Sequence, residues 1–157
     1  MGLPRTCVGF SSTDIKSYWL MCAWKANEKI DFDFADCQLN DEIRSEDEDY
    51  IKSKVRGRIK LAGKYALLIG ADTKYKHKYV RWEAEVAIEK ECTIIGVNLD
   101  GSRQIDHETC PAIIKDIGAV FVPFSPKIIQ YALEKYTMGE SGKNYSYKPS
   151  VYTSLGY

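Results

Sequence analysis

Apolar and polar positions along the chain alternate between a strand-like and a helix-like period. RTCVGF (5–10) is a short apolar run ending in SSTD, which reads as a strand followed by a helix start. From Ile15 the residues Ile15, Tyr18, Trp19, Cys22 and Ala26 recur at helical spacing and predict an amphipathic first helix. IDFDFADCQL (30–39) alternates polar and apolar, as a half-exposed edge strand does. An acidic loop, NDEIRSEDED (40–49), leads to a helix carrying Ile51, Val55, Ile59 and Ala62. KYALLIGAD (64–72) is a nearly unbroken apolar run, the mark of a strand buried on both faces. A helix follows over HKYVRWEAEVAIEK (77–90), then a second buried strand, CTIIGVNLD (92–100), and a short helical piece over Pro111–Asp116. AVFVPFS (119–125) is the fifth strand, and PKIIQYALEKY (126–136) closes as a helix with Pro126 in its first turn.

Strands alternating with helices imply a parallel sheet between helical layers, because parallel neighbours need crossover connections. The expected fold is therefore α/β: a flavodoxin-like three-layer sandwich whose five parallel strands lie in the order 2-1-3-4-5. It occupies residues 1–136. The remainder, TMGESGKNYSYKPSVYTSLGY (137–157), is rich in Ser, Gly and Tyr and lacks a core period. It reads as a loosely ordered tail whose removal leaves the sheet intact. Tyr145, Tyr147, Tyr152 and Tyr157 leave open that it docks on its own domain or on a neighbour.

One residue breaks the pattern. On a helical wheel Arg81, Glu85 and Glu89 share a charged face, but Glu83 falls between Tyr79 and the pair Val80 and Ala87, in the apolar stripe that Trp82 and Val86 extend. A structural glutamate there packs its stem and sends its head to water, or pairs with Lys78 or Lys90. A functional one is a partly desolvated carboxylate poised on a ligand. In open α/β sheets the ligand sits outside the carboxyl ends of the strands, at the switch point between strands one and three. FSSTD (10–14) and GADTK (70–74) bound that crevice, the second bringing Asp72 as a further ligand contact. Ser11, Ser12 and Thr13 offer hydroxyls beside the free N–H groups of the first helix, a seat for phosphate, although Ser12 or Thr13 can equally be an N-cap. Glu83, about one turn into its helix, can overhang the same crevice.

Composition narrows the chemistry. At 157 residues one domain is expected, and 22 basic against 22 acidic residues point to neither a nucleic acid nor an anionic membrane as partner. The five cysteines are scattered without a CxxC pair, which favours free thiols in a reducing cytoplasm. Two histidines make a metal site improbable, and no apolar run approaches the ~18 residues of a membrane span. MGLPRT matches the loose myristoylation pattern of Gly2 with Thr6, but a strand begins at once, so the match reads as coincidence. There is no GxGxxG, P-loop or GxSxG. SSTD and PFSPK lack the acidic pair and strand-end lysine of a phosphate-receiving domain, and SSTDIKS is poor in Gly for a flavin-phosphate loop. What remains is a crevice with hydroxyls, a helix terminus and one carboxylate on an apolar wall. Such a site could hold a ribose and stabilise the cationic sugar formed when a glycosidic bond breaks.

VGFSSTD, FADCQL, ALLIGADT and YVRWEAEVAIEK, followed by IIGVNLDG, CPAIIKDIGA and VFVPFS, resemble the TIR-like family of the bacterial Thoeris antiphage system from about Thr6 to Tyr136. The resemblance implies a TIR-like domain in which Glu83 is the catalytic residue for NAD cleavage. The aromatic four positions earlier, usually Trp in TIR enzymes, is Tyr79 here, with Trp82 immediately before the acid. Phe10, Ser11 and Asp14 match the segment bordering the NAD site, and Phe10, Tyr79 and Trp82 would form an aromatic wall against water. The stretch 40–49 is more acidic than the corresponding TIR loop. Implied further are NAD+ as substrate with no separate cofactor, an ADP-ribose signal (of the cyclic type) acting on a separate effector protein, and self-association on activation. Two other readings compete: a non-catalytic scaffold, and a nucleoside-processing transferase with Glu83 as nucleophile.

Overall fold

The computed structural model describes residues 5–31, 33–36, 48–59, 62–76 and 79–157. The long apolar run becomes the central strand β3 (Ala62–Ile69), buried from Tyr65 onward. It pairs in parallel with β1 (Arg5–Gly9) on one side and β4 (Thr93–Asn98) on the other, through registers such as Cys7 with Tyr65 and Ile69 with Asn98. The short edge strand β2 (Phe34–Asp36) adds to β1, and β5 (Val120–Pro123) adds to β4. All pairings are parallel and the order is β2-β1-β3-β4-β5, that of a flavodoxin-like sheet.

Side chains alternate across the sheet, so its two faces feed two cores. One face carries Cys7, Tyr65, Leu67, Ile69, Ile94 and Phe121 and is covered by α2 (Glu48–Ile59) and α3 (Tyr79–Glu89). The other carries Val8, Ala66, Leu68, Ile95 and Val122 under α1 (Ile15–Ala26) and α4 (Pro126–Lys135). The charged face of α3 is tied to α2, since Glu89 accepts from Arg56 at 2.8 Å and Glu85 pairs with Lys52 as well as with Arg81.

Four expectations change. Ala62 opens β3 rather than extending α2. On α1 the buried residue is Met21, while Trp19 is 59% exposed and Cys22 is exposed. The helix is rotated by its neighbour: Tyr18 stacks on Phe10 at 4.9 Å and meets Phe34 edge-on at 5.8 Å, which fixes the inward stripe as Ile15, Tyr18 and Met21. Cys22, Cys92 and Cys110 are thiols outside any disulfide, as expected, but Cys7 is disulfide-bonded.

The fourth change is the largest. Beyond α4 the chain is not a loose tail. Tyr145 bridges Val120, donating from its N to Ala119 and accepting from Phe121 N at 2.9 Å, so this segment runs along the free edge of β5. Asn144 bonds Asp116 through both its amide groups. A further helix, α5 (Pro149–Ser154), buries Tyr152 to 2% exposure against the α4 core, with Arg103 over its ring at 4.0 Å. Residues 37–47, which include most of the acidic loop, lie outside the described residues.

Candidate active site

Glu83 sits on the inner side of α3 and is 1% exposed, so the account in which its head reaches water does not hold. Two residues of the sheet make room for it. Gly9 ends β1 with no side chain: a Cβ there would lie 3.1 Å from Glu83 Oε2 and inside the Tyr65 hydroxyl. Tyr65, buried on β3, brings that hydroxyl to the same point. Its pKa is raised well above the usual phenol value by burial first, then by the Glu83 charge and by a hydrogen bond to Glu83. The phenol therefore stays protonated and donates toward the carboxylate. Tyr65 was not foreseen from sequence; the one signal was a polar atom inside an otherwise apolar strand.

Beside this pair the strand ends hold a polar cluster. Thr13 donates to Asp72 Oδ2 at 2.6 Å, and Ser11 Oγ caps the short 3-10 turn Ser12–Asp14 by accepting from Thr13 N. The N-cap account of this segment thus applies to Ser11, while Ser12 is exposed. Thr73, buried at the end of the loop after β3, accepts from Gly70 N at 2.8 Å. Asp14 lies over Gly70, where a Cβ would come within 2.7 Å of its Cγ. Burial raises the Asp14 pKa, the nearby Asp72 charge adding to it, whereas the Thr13 hydrogen bond holds Asp72 below the usual carboxylate value. Asp14 Oδ2 and Asp72 Oδ1 are buried yet accept no hydrogen bond among the described residues, which leaves two acceptors for a ligand donor.

The expected aromatic wall is divided. Trp82, 8% exposed, belongs to the core under α2 and α3, whereas Phe10 is fully buried on the opposite face against Tyr18. The sheet stands between them. Tyr79 opens α3, and its side chain lies outside the described residues. Among the described residues no cluster of three or more His, Cys, Asp or Glu could hold a metal, and no helix is long and apolar enough to cross a membrane.

The family model of the Thoeris protein ThsB, TIR-like domain, matches residues 8–104. The chain belongs to that family. No curated protein matches it. The match takes in the last two residues of β1, the Ser11–Asp14 turn, the Asp72 loop, all of α3 and β4, and it stops short of β5 and α5.

Proposed function

We propose that this TIR-like family member is an NAD-consuming signalling enzyme of antiphage defence, which breaks the nicotinamide–ribose bond and releases an ADP-ribose signal, cyclic in form, for a separate effector. The observation that carries the reading is the buried carboxylate of Glu83 beside the strand-end crevice, at the position where the TIR enzymes it resembles carry their catalytic acid. Burying a carboxylate is costly unless something compensates it. Tyr65 supplies one donor. A ribose turning cationic as its glycosidic bond stretches supplies the charge, and only in the transition state, which is where stabilisation accelerates a reaction.

In this scheme the ribose hydroxyls donate to Glu83. The bonding pair leaves with the pyridinium nitrogen, so nicotinamide departs neutral. Asp14 and Asp72 accept from ligand hydroxyl or amide groups at the crevice. Capture of the cation by water gives ADP-ribose, and capture by a nucleophile within the same molecule gives the cyclic product. The apolar side chains around Glu83, Val80 and Trp82 among them, favour the second outcome by excluding water.

The test is chromatographic detection of nicotinamide and of linear and cyclic ADP-ribose after incubation with NAD+, alone and in extract of phage-infected cells. No nicotinamide under either condition would move the assignment to an interaction module. One observation supports that second reading: Trp19 and Leu20, 59% and 46% exposed on α1, present an apolar surface.

A further inference from the structure

A cavity of about 270 Å³ opens on the α3 side of the sheet, between the first turn of α3 and the turn at Pro111–Ile113. Lys74, Lys76 and Arg81 line it, together with the apolar Val80, Pro111 and Ile113. The charges do not cancel. Lys76 lies 3.8 Å from Asp72, and Arg81 pairs at 2.9 Å with Glu85, which also serves Lys52. Lys74 donates to the Glu108 carbonyl and lies 5.1 Å from the Tyr75 ring centre, with no carboxylate partner among the described residues. Three cations thus face two carboxylates, one of them shared. The N–H groups of the first turn of α3 add partial positive charge at the same place.

The walls say more than the charge. A cleft for a lone inorganic anion would gain nothing from Val80, Pro111 and Ile113, whereas an anion joined to an apolar body would. The volume lies below the ~300–1,000 Å³ of sites that hold a whole drug-sized ligand, so the cavity takes part of a larger molecule. Val80 and Arg81 line it from the same helix, α3, that carries Glu83. Thr73 belongs to both regions: it lines the cavity and braces Gly70 beneath Asp14.

We infer that this cleft binds the diphosphate of the dinucleotide, with Lys74 as its principal charge. The identity of the ligand rests on the NAD reading above, while the anion site itself does not. Titration calorimetry with inorganic pyrophosphate and with ADP-ribose, at two salt concentrations, separates the two. Wild type binds both ligands, more weakly at higher salt. Lys74→Glu weakens both at least 10-fold with an unchanged melting temperature and raises KM for NAD+ by a similar factor. Lys90→Gln, at the far end of α3, leaves binding as in wild type. Absence of binding in wild type, or equal binding in wild type and Lys74→Glu, overturns the inference even if NAD+ is cleaved. Charge-dependent binding of pyrophosphate by a protein that releases no nicotinamide sustains the anion site and removes the dinucleotide reading instead.

Discussion

The two faces of the sheet are built to different standards. The face under α1, α4 and α5 is an apolar core closed by aromatic rings, where Tyr152 and Phe10 are almost wholly covered and make ring contacts to Tyr157 and Tyr18. The face under α2 and α3 is as tightly buried but contains a carboxylate, a phenol and a glycine in mutual contact at the end of β1. The buried side chains on the first face are aliphatic or aromatic. On the second, Glu83 lowers stability relative to an apolar residue, and a chain retains such a cost where the group does something else. On the proposed function the comparison separates scaffold from site: the C-terminal segment belongs to the first and Glu83 to the second.

The comparison breaks most visibly if the scaffold face is cut. Removing residues 139–157 strips the free edge of β5 of its partner and uncovers the α4 core. The truncated protein is expected to lose its cooperative melt. Tyr152→Ala is the milder version, costing about 3 kcal/mol as large aromatic truncations do and lowering Tm by roughly 6–12 °C. Nicotinamide release per folded molecule should be unchanged. A truncated chain that melts like wild type would return the segment to the status of a loose tail.

On the other face the effects reverse, with activity falling and stability not. Glu83→Gln keeps the size of the side chain and its capacity to accept from Tyr65 but removes the charge. Turnover of NAD+ should drop by on the order of 10²-fold or more, while Tm stays level or rises slightly because a buried charge is gone. Glu85→Gln is the control for activity, and loses only the modest stabilisation of its partly exposed pairs to Lys52 and Arg81. Equal loss of turnover in both variants would take Glu83 out of the chemistry.

How far this division could be read from the chain differs by residue. The alternation of runs such as KYALLIG and TIIGVN is a local signal set by burial on both faces, so the strands and their parallel order were legible, and so was the anomaly at Glu83. The rotation of α1 was not. Tyr18 and Trp19 are adjacent and equally apolar, and the choice between them is made by Phe10 and Phe34, which arrive from other strands. The C-terminal segment was missed for a related reason. Its support comes from the β5 edge and from α4, not from a period of its own. Tyr65 offered only a polar atom inside an apolar strand, and a phenol there looks like any core aromatic until the helix above places a carboxylate on it.

Tyr65→Phe sharpens the comparison at that contact. A hydrogen bond to a charged group is worth about 1.5–3 kcal/mol, but part of that is recovered once Glu83 can turn to the ligand. Turnover should fall roughly 10-fold, the equivalent of about 1.4 kcal/mol, in kcat more than in KM. An unaltered kcat would mean that Tyr65 merely fills space.

The smallest effect lies in the crevice, where Asp14 and Asp72 should respond to pH with opposite signs. Burial raises the folded pKa of Asp14 above its ordinary value of 3.8. Its contribution to stability is therefore present below that value and is lost as pH rises through the folded pKa. At pH 7 the ionised Asp14 is a liability, so Asp14→Asn should melt slightly higher than wild type, the gap closing as pH falls toward 3.8. Asp72 is the reverse case. The Thr13 hydrogen bond lowers its folded pKa below 3.8, so its stabilisation is present above that value and is lost as pH falls through the lower folded pKa. Asp72→Asn should melt slightly lower than wild type at pH 7 and converge with it in acid. Melting curves of the three proteins from neutral pH down through this range carry the test. Shifts of the same sign in both variants would mean that the two carboxylates share one environment, and that the crevice lacks the unequal pair of acceptors described here.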